Sequence, residues 1–245
     1  MRDAGRMKKM SQKLLPLRIA EELREEILTR EDGEYIGSEN ELVARFKVSH
    51  PTFRQTARLL EQEQLLTVRR GPGGGYYAKL PLVADVARTA GTYLRTRKVG
   101  LHQVFRAMRD AVRVVGRAAA LADDPENFLE IERLRRKLVQ LSKKESLEDE
   151  DVEHVLMQLQ SCIITIADDP VSELIISMLH HVADEELRRL MPRDQRGVRA
   201  KYVELSAFLA DAVLAREPDL ASTAFERLVE YTIQLMSLSE SPIKA

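Results

Sequence analysis

Between Ser38 and Lys79 the chain leaves few choices of fold. Ser38-Glu39-Asn40-Glu41 is an S-x-x-E capping box, so a helix opens there and carries Leu42, Val43 and Phe46 on its buried side. Lys47-Val48 makes a tight corner. Ser49 then offers a second N-cap hydroxyl, and Pro51 is tolerated because it falls in the first turn, where no intrahelical N–H is needed. In the second helix Phe53, Ala57 and Leu60 recur at i, i+4, i+7 and face inward, leaving His50, Thr52, Arg54, Gln55 and Arg58 outward. Leu65 to Arg70 is a short β run, Gly71-Pro72-Gly73-Gly74-Gly75 a turn, and Tyr76-Tyr77-Ala78 the return strand. Helix, corner, helix and basic-tipped hairpin is the order of a winged helix-turn-helix, and it implies a surface that reads DNA.

Around this stretch the chain is organised simply. Residues 1–13, with Arg2, Arg6, Lys8, Lys9 and Lys13, read as a flexible basic arm, a tail that can add phosphate contacts. A first helix follows from Pro16 to about Arg30, with Ile19, Leu23 and Ile27 on one face; Tyr35-Ile36 supplies a short first strand. The winged domain spans 14–79 and a linker 80–85. From residue 83 no strand pattern remains, and helices are predicted near 83–97, 100–122, 126–144, 147–168, 170–190, 195–216 and 218–238. The predicted fold is thus mainly α: an N-terminal winged helix-turn-helix with a small β-hairpin wing, then an antiparallel α-helical bundle over 86–240 for effector binding and dimerisation.

Charge follows the same division. Residues 1–79 hold 15 Lys and Arg against 12 Asp and Glu, whereas the remainder holds 23 against 27. A positive head on a negative body suits a partner made of phosphate. The single cysteine, Cys162, excludes an intrachain disulfide and a Cys-rich zinc finger, and suits a reducing cytoplasm. No apolar run approaches the ~18 residues of a membrane span, and no signal peptide is predicted. The expected location is therefore the cytoplasm.

The DNA-facing chemistry follows from position in the motif. A recognition helix enters the major groove by its N-terminal turn, where free N–H groups also favour a phosphate. Ser38, Asn40, Ser49 and Thr52 suit contacts around that entry, with His50 beside them. Arg54 can fork onto a phosphate or onto guanine O6 and N7, and Gln55 and Arg58 lie within reach of a base edge or the backbone. Arg69 and Arg70 ride the hairpin, where Gly71 lets backbone approach the minor groove.

Residues 14–79 resemble the DNA-binding domain of the GntR family of bacterial transcription regulators. The matching runs are Ile36-Gly37-Ser38-Glu39-Asn40-Glu41-Leu42-Val43, then Val48-Ser49-His50-Pro51-Thr52-Phe53-Arg54-Gln55-Thr56-Ala57, then the Arg70-Gly71 wing. Three positions depart from the family pattern. His50 and Asn40 stand where Arg is common, and Gln64 where Gly precedes the wing. The helical body resembles the ligand-sensing domain of the FadR branch, in the helix bearing His154 and Ile163 and the turn Asp168-Asp169-Pro170 that follows it.

That second resemblance implies a site. Many members hold a divalent metal with an Asp one turn before the helix's His and two more His on the last two helices. The corresponding positions here are Glu150, His154, Ser206 and Leu228. Leu228 cannot ligate, and the adjacent His180 and His181 point about 100° apart on a helix, so no metal or other cofactor is expected. Metal-free members bind larger apolar molecules. Arg109, Arg113, Glu150, His154 and Ser206 are the candidate effector-binding residues, and an apolar or acyl-type metabolite the expected ligand.

The function expected is a ligand-responsive regulator, in the usual case a repressor, bound as a homodimer to a pseudo-palindromic operator. A DNA-binding regulator controlled by a partner or by abundance alone is the second reading. An enzyme built on the bundle is the third, and the chain has no G-x-S-x-G, Walker loop, H-E-x-x-H or Cys/His pairing to support catalysis.

Overall fold

The computed structural model describes residues 2–142, 149–190 and 196–239, with side chains over 14–141, 152–183 and 197–237. Its contacts divide the chain into two compact units at Leu82/Val83.

The first unit runs α1 (Arg2–Ile27), β1 (Tyr35–Gly37), α2 (Glu39–Phe46), α3 (His50–Gln62), β2 (Leu66–Arg69) and β3 (Gly75–Ala78). The three strands form an antiparallel sheet in the order β1-β3-β2, with Leu66 opposite Ala78 and Arg69 opposite Gly75. Leu23, Ile27, Leu42, Phe53, Leu60 and Tyr76 make its core, and Phe53 meets the Tyr76 ring edge-on at 5.1 Å.

Both predicted caps are built. The Ser38 hydroxyl accepts from Glu41 N–H at 3.3 Å, while Ser38 N–H donates to the Glu41 carboxylate at 2.6 Å. Ser49 caps α3, accepting from Thr52 N–H. Lys47 closes the corner in the left-handed region at φ 53°, its N–H donating to the Ala44 carbonyl. Gln64 also adopts a left-handed φ of 60° ahead of β2. A glycine would take that conformation without the ~1–2 kcal/mol that a Cβ costs there.

The start of α1 differs from the sequence reading. A helix was expected from Pro16, after a flexible arm over 1–13, yet α1 begins at Arg2 and carries Pro16 inside it. Arg, Lys, Met, Ala and Gln, which fill the stretch before Pro16, favour helix, and one proline removes only one backbone donor. The side chains of 1–13 lie outside the described set. Pro16 itself is buried, and the Thr56 hydroxyl of α3 donates to its carbonyl at 3.2 Å.

The second unit is wholly helical among its described residues: α4 (Val83–Thr96), α5 (Leu101–Leu121), α6 (Pro125–Ser142), α7 (Asp149–Ile166), α8 (Pro170–Leu190), α9 (Arg196–Leu214) and α10 (Pro218–Ser239). Because α4 starts at Val83, the linker is shorter than the 80–85 read from sequence. Asp124 and Asp169 start α6 and α8 by accepting from the Asn127 and Ser172 backbone N–H groups. Helix α5 is the axis of this unit and packs against α7, α8, α9 and α10. Its closest approach is to α10. There a Cβ on Gly116 would stand 2.7 Å from the Ala221 carbonyl oxygen, so only glycine fits.

Cys162 on α7 sits half-buried, its thiol 3.7 Å from the Asn127 side-chain oxygen. Burial pushes that thiol above the usual cysteine range, helped by Glu130 and Asp124.

Candidate nucleic-acid interface

Helix α3 and the β2–β3 hairpin enclose a cleft of about 730 Å³ lined by Arg54, Arg58, Arg69, Arg70, Gly71 and Glu39, among others. All four arginines are exposed. Arg54 on the helix and Arg70 on the hairpin share one open surface. Geometry explains why. Positions 50, 54 and 58 recur every fourth residue on one face of α3, and the face opposite is pinned inward by Phe53, Ala57 and Leu60. The hairpin tip closes tightly because Gly71 and Gly73 take φ of 91° and 72°.

The remaining residues of the predicted set divide by role. Ser49 and Thr52 hydroxyls lie 2.8 Å apart and bond to each other at the entry of α3; that bond uses one hydroxyl proton and leaves the other to be donated to a phosphate. The Ser38 hydroxyl oxygen accepts from Glu41 N–H as the cap of α2. Asn40 and Gln55 are exposed, on α2 and α3. Arg69 lies with its guanidinium 4.0 Å from the centre of the Tyr77 ring, which fixes it against the hairpin.

One residue of this surface was not singled out from sequence. Glu39, first in α2, accepts from Arg54 Nε at 2.9 Å and from His50 Nδ1 at 2.8 Å through the same oxygen. Burial pushes its carboxyl up, but the hydrogen bonds from His50 and Arg54 outweigh that and hold it below the usual carboxylate range. A signal existed in the sequence: an acid at the start of one helix, beside a basic reading face on the next.

Residues 15–74 match the profile of the bacterial regulatory proteins, gntR family. These residues form a GntR-family winged helix-turn-helix domain. The fold is similar to that of a Streptococcus agalactiae GntR protein, with TM-score 0.62 and 14% identity over 89% of this chain and 99% of that one. A looser likeness is to E. coli McbR/YncC, with TM-score 0.46 and 16% identity over 93% and 99% of the two chains. No curated protein sequence matches the chain significantly. The GntR match assigns the DNA-binding module of a transcription regulator to the head, while the Streptococcus likeness bears on fold.

The helical unit arranges its polar residues otherwise than the sequence reading expected. Arg109 and Arg113 both turn toward Glu226 of α10, at 3.8 and 3.6 Å. His154 is exposed on α7, because Val152, Val155, Leu159 and Ile163 define the buried stripe and His154 lies off it. Ser206 is fully buried, with its hydroxyl unpartnered. The side chain of Glu150 lies outside the described residues. Thus, among the described residues, Arg109, Arg113, His154 and Ser206 do not line a common cavity.

A different set lines one. Phe105, Met108, Ile176, Phe225 and Leu228 line a cavity of about 160 Å³, together with Gln160, Tyr202 and Thr232. The Tyr202 and Thr232 hydroxyls are bonded at 2.6 Å. Burial pushes the Tyr202 phenol up to about 12, so it stays neutral and available as donor or acceptor. Among the described residues no group of three or more His, Cys, Asp or Glu could hold a metal ion, and no helix is long and apolar enough to cross a membrane.

Proposed function

We propose that the chain is a ligand-responsive transcription regulator of FadR-like build, a repressor that binds a pseudo-palindromic operator as a homodimer. The observation that carries this reading is the single exposed face shared by Arg54, Arg58, Arg69 and Arg70 beside a glycine-tipped hairpin. That face matches what a duplex presents: phosphates along a groove and guanine acceptors within it. Two such heads must meet successive major grooves about one helical turn, ~34 Å, apart, which a two-fold dimer satisfies.

The helical unit supplies the control. Its cavity of about 160 Å³ is close to the ~150 Å³ that accommodates benzene in an engineered apolar site. This narrows the expectation of an apolar or acyl-type effector to a molecule that seats a compact apolar group in the cavity. One polar group on it would meet Gln160 or the Tyr202–Thr232 pair. Control requires that this molecule bind the DNA-competent and incompetent arrangements unequally.

Fluorescence anisotropy of the full chain on its own upstream DNA, against a scrambled duplex of equal length, tests the reading. Sequence-preferring binding with two protomers per duplex is the expected result, and equal affinity for both duplexes overturns it. A thermal-shift series of small aromatic and branched alcohols against acyl-CoAs then tests the effector. Stabilisation by the former alone is expected, and stabilisation by acyl-CoA alone removes the compact-ligand reading.

A further inference from the structure

An acid on a surface that faces phosphates weakens binding unless it does something else there. Glu39 is not turned away from that surface, and its carboxylate oxygen takes hydrogen bonds from two of the residues aimed at the groove, Arg54 and His50. It is also the recessed member of the three. Its side chain is 26% exposed, against 64% for Arg54 and 50% for His50.

We propose that Glu39 is a positioning residue that joins Arg54 and His50 into one two-base reader, with Arg54 facing a guanine and His50 an amino-bearing base, adenine or cytosine. The inference rests on the DNA-binding reading above. An ionised carboxylate only accepts, so the proton of the neutral His50 ring must sit on Nδ1, the atom bonded to Glu39. Nε2 is then a lone pair, matched to the N6 amino group of adenine or the N4 amino group of cytosine, and mismatched to the acceptors of guanine. Arg54 donates to Glu39 through Nε, which leaves both terminal nitrogens as an end-on fork for guanine O6 and N7. Residues 50 and 54 are one turn apart, about 6 Å along the helix, so the two bases lie within about two steps of 3.4 Å. Holding both side chains in place before docking lowers the ordering cost of binding.

The test is selection of duplexes from a randomised library by the full-length protein, followed by anisotropy on the selected and a scrambled duplex. The wild type is expected to enrich a guanine within two base pairs of an adenine or cytosine. Glu39→Gln should lower the preference for selected over scrambled DNA by about tenfold, and its loss should be less than additive with that of Arg54→Ala. Scrambled DNA should be bound as well or better, since a repelling charge has gone. His50→Ala leaves Glu39 and the capping box in place, and should lose selectivity only at the amino-bearing position, which also serves if Glu39→Gln fails to fold. Equal tightening of both duplexes by Glu39→Gln, with the enriched sequence unchanged, overturns the proposal and leaves DNA binding intact. If the wild type enriches nothing, the DNA-binding reading itself fails and this inference falls with it.

Discussion

The head and the body of this chain hold their polar chemistry in opposite ways. In the head, Arg54, Arg58, Arg69 and Arg70 stand exposed on a scaffold of a dozen or so core residues, and each is aimed by a local device: a cap, a turn or a helix face. In the body, the polar groups that meet a cavity, Gln160, His180, Tyr202 and Thr232, come from four helices and are brought together by the packing of those helices. The difference teaches where each kind of site is fragile. A surface reader loses function when one side chain goes, with little change in stability. An interior site shares its atoms with the core, so the same change is felt first by the fold.

The sharpest way to break that contrast is at the α5–α10 contact. Gly116→Ala places a methyl against the Ala221 carbonyl and should destabilise the body by about 3 kcal/mol, read from urea unfolding. A shift within error would show that the two helices can separate freely. Next in size, Arg54→Ala should weaken operator binding at least about tenfold, roughly 1.4 kcal/mol or more, by anisotropy, while leaving the melting temperature in place. An equal loss of stability would make the head no different from the body.

Smaller effects sharpen the comparison within the head. Glu26 on α1 takes hydrogen bonds from Arg45 at 2.6 Å and Arg30 at 2.9 Å. The Arg45 bond, aided by Arg30 against burial, holds its carboxyl below the ordinary value of 4.5. Such a depressed group stabilises fully above its ordinary value, and the contribution fades as pH falls through the folded value. Glu26→Gln should therefore cost about 1 kcal/mol at neutral pH, and its unfolding curve should merge with that of the wild type in strong acid. Smallest of all, Gln64→Gly relieves the left-handed residue before β2 and should stabilise by about 0.5 kcal/mol. A destabilisation in the same thermal melt would mean that the Gln64 contact with Lys79, at 3.3 Å, outweighs the backbone strain.

Legibility in the sequence follows the same division. The capping box at Ser38, the cap at Ser49 and the glycine tip are encoded by residues a few positions apart, so the head could be read down to its exposed arginines. Helix ends in the body were legible for the same reason, since Pro125, Pro170 and Pro218 each open a helix. The start of α1 was not, because a proline inside a run of good helix formers marks a boundary only when the chain has another way to go. Glu39 escaped because its partners belong to the next helix, and single-helix periodicity says nothing about contacts across a corner. The cavity lining differs from the candidate effector set for two reasons. His154 follows from a resemblance, whereas the spacing of Val152, Val155 and Leu159 turns it outward. The cavity, in turn, is assembled from five helices and leaves no pattern in any one of them.

The character of Cys162 has a practical side. Half-buried beside Asn127 with its thiol held protonated, it is a slow nucleophile at neutral pH, and the chain has no second cysteine. A thiol introduced at an exposed site such as Gln55 would outcompete it for a maleimide dye, so the reading face can be fitted with a single fluorophore without first replacing Cys162.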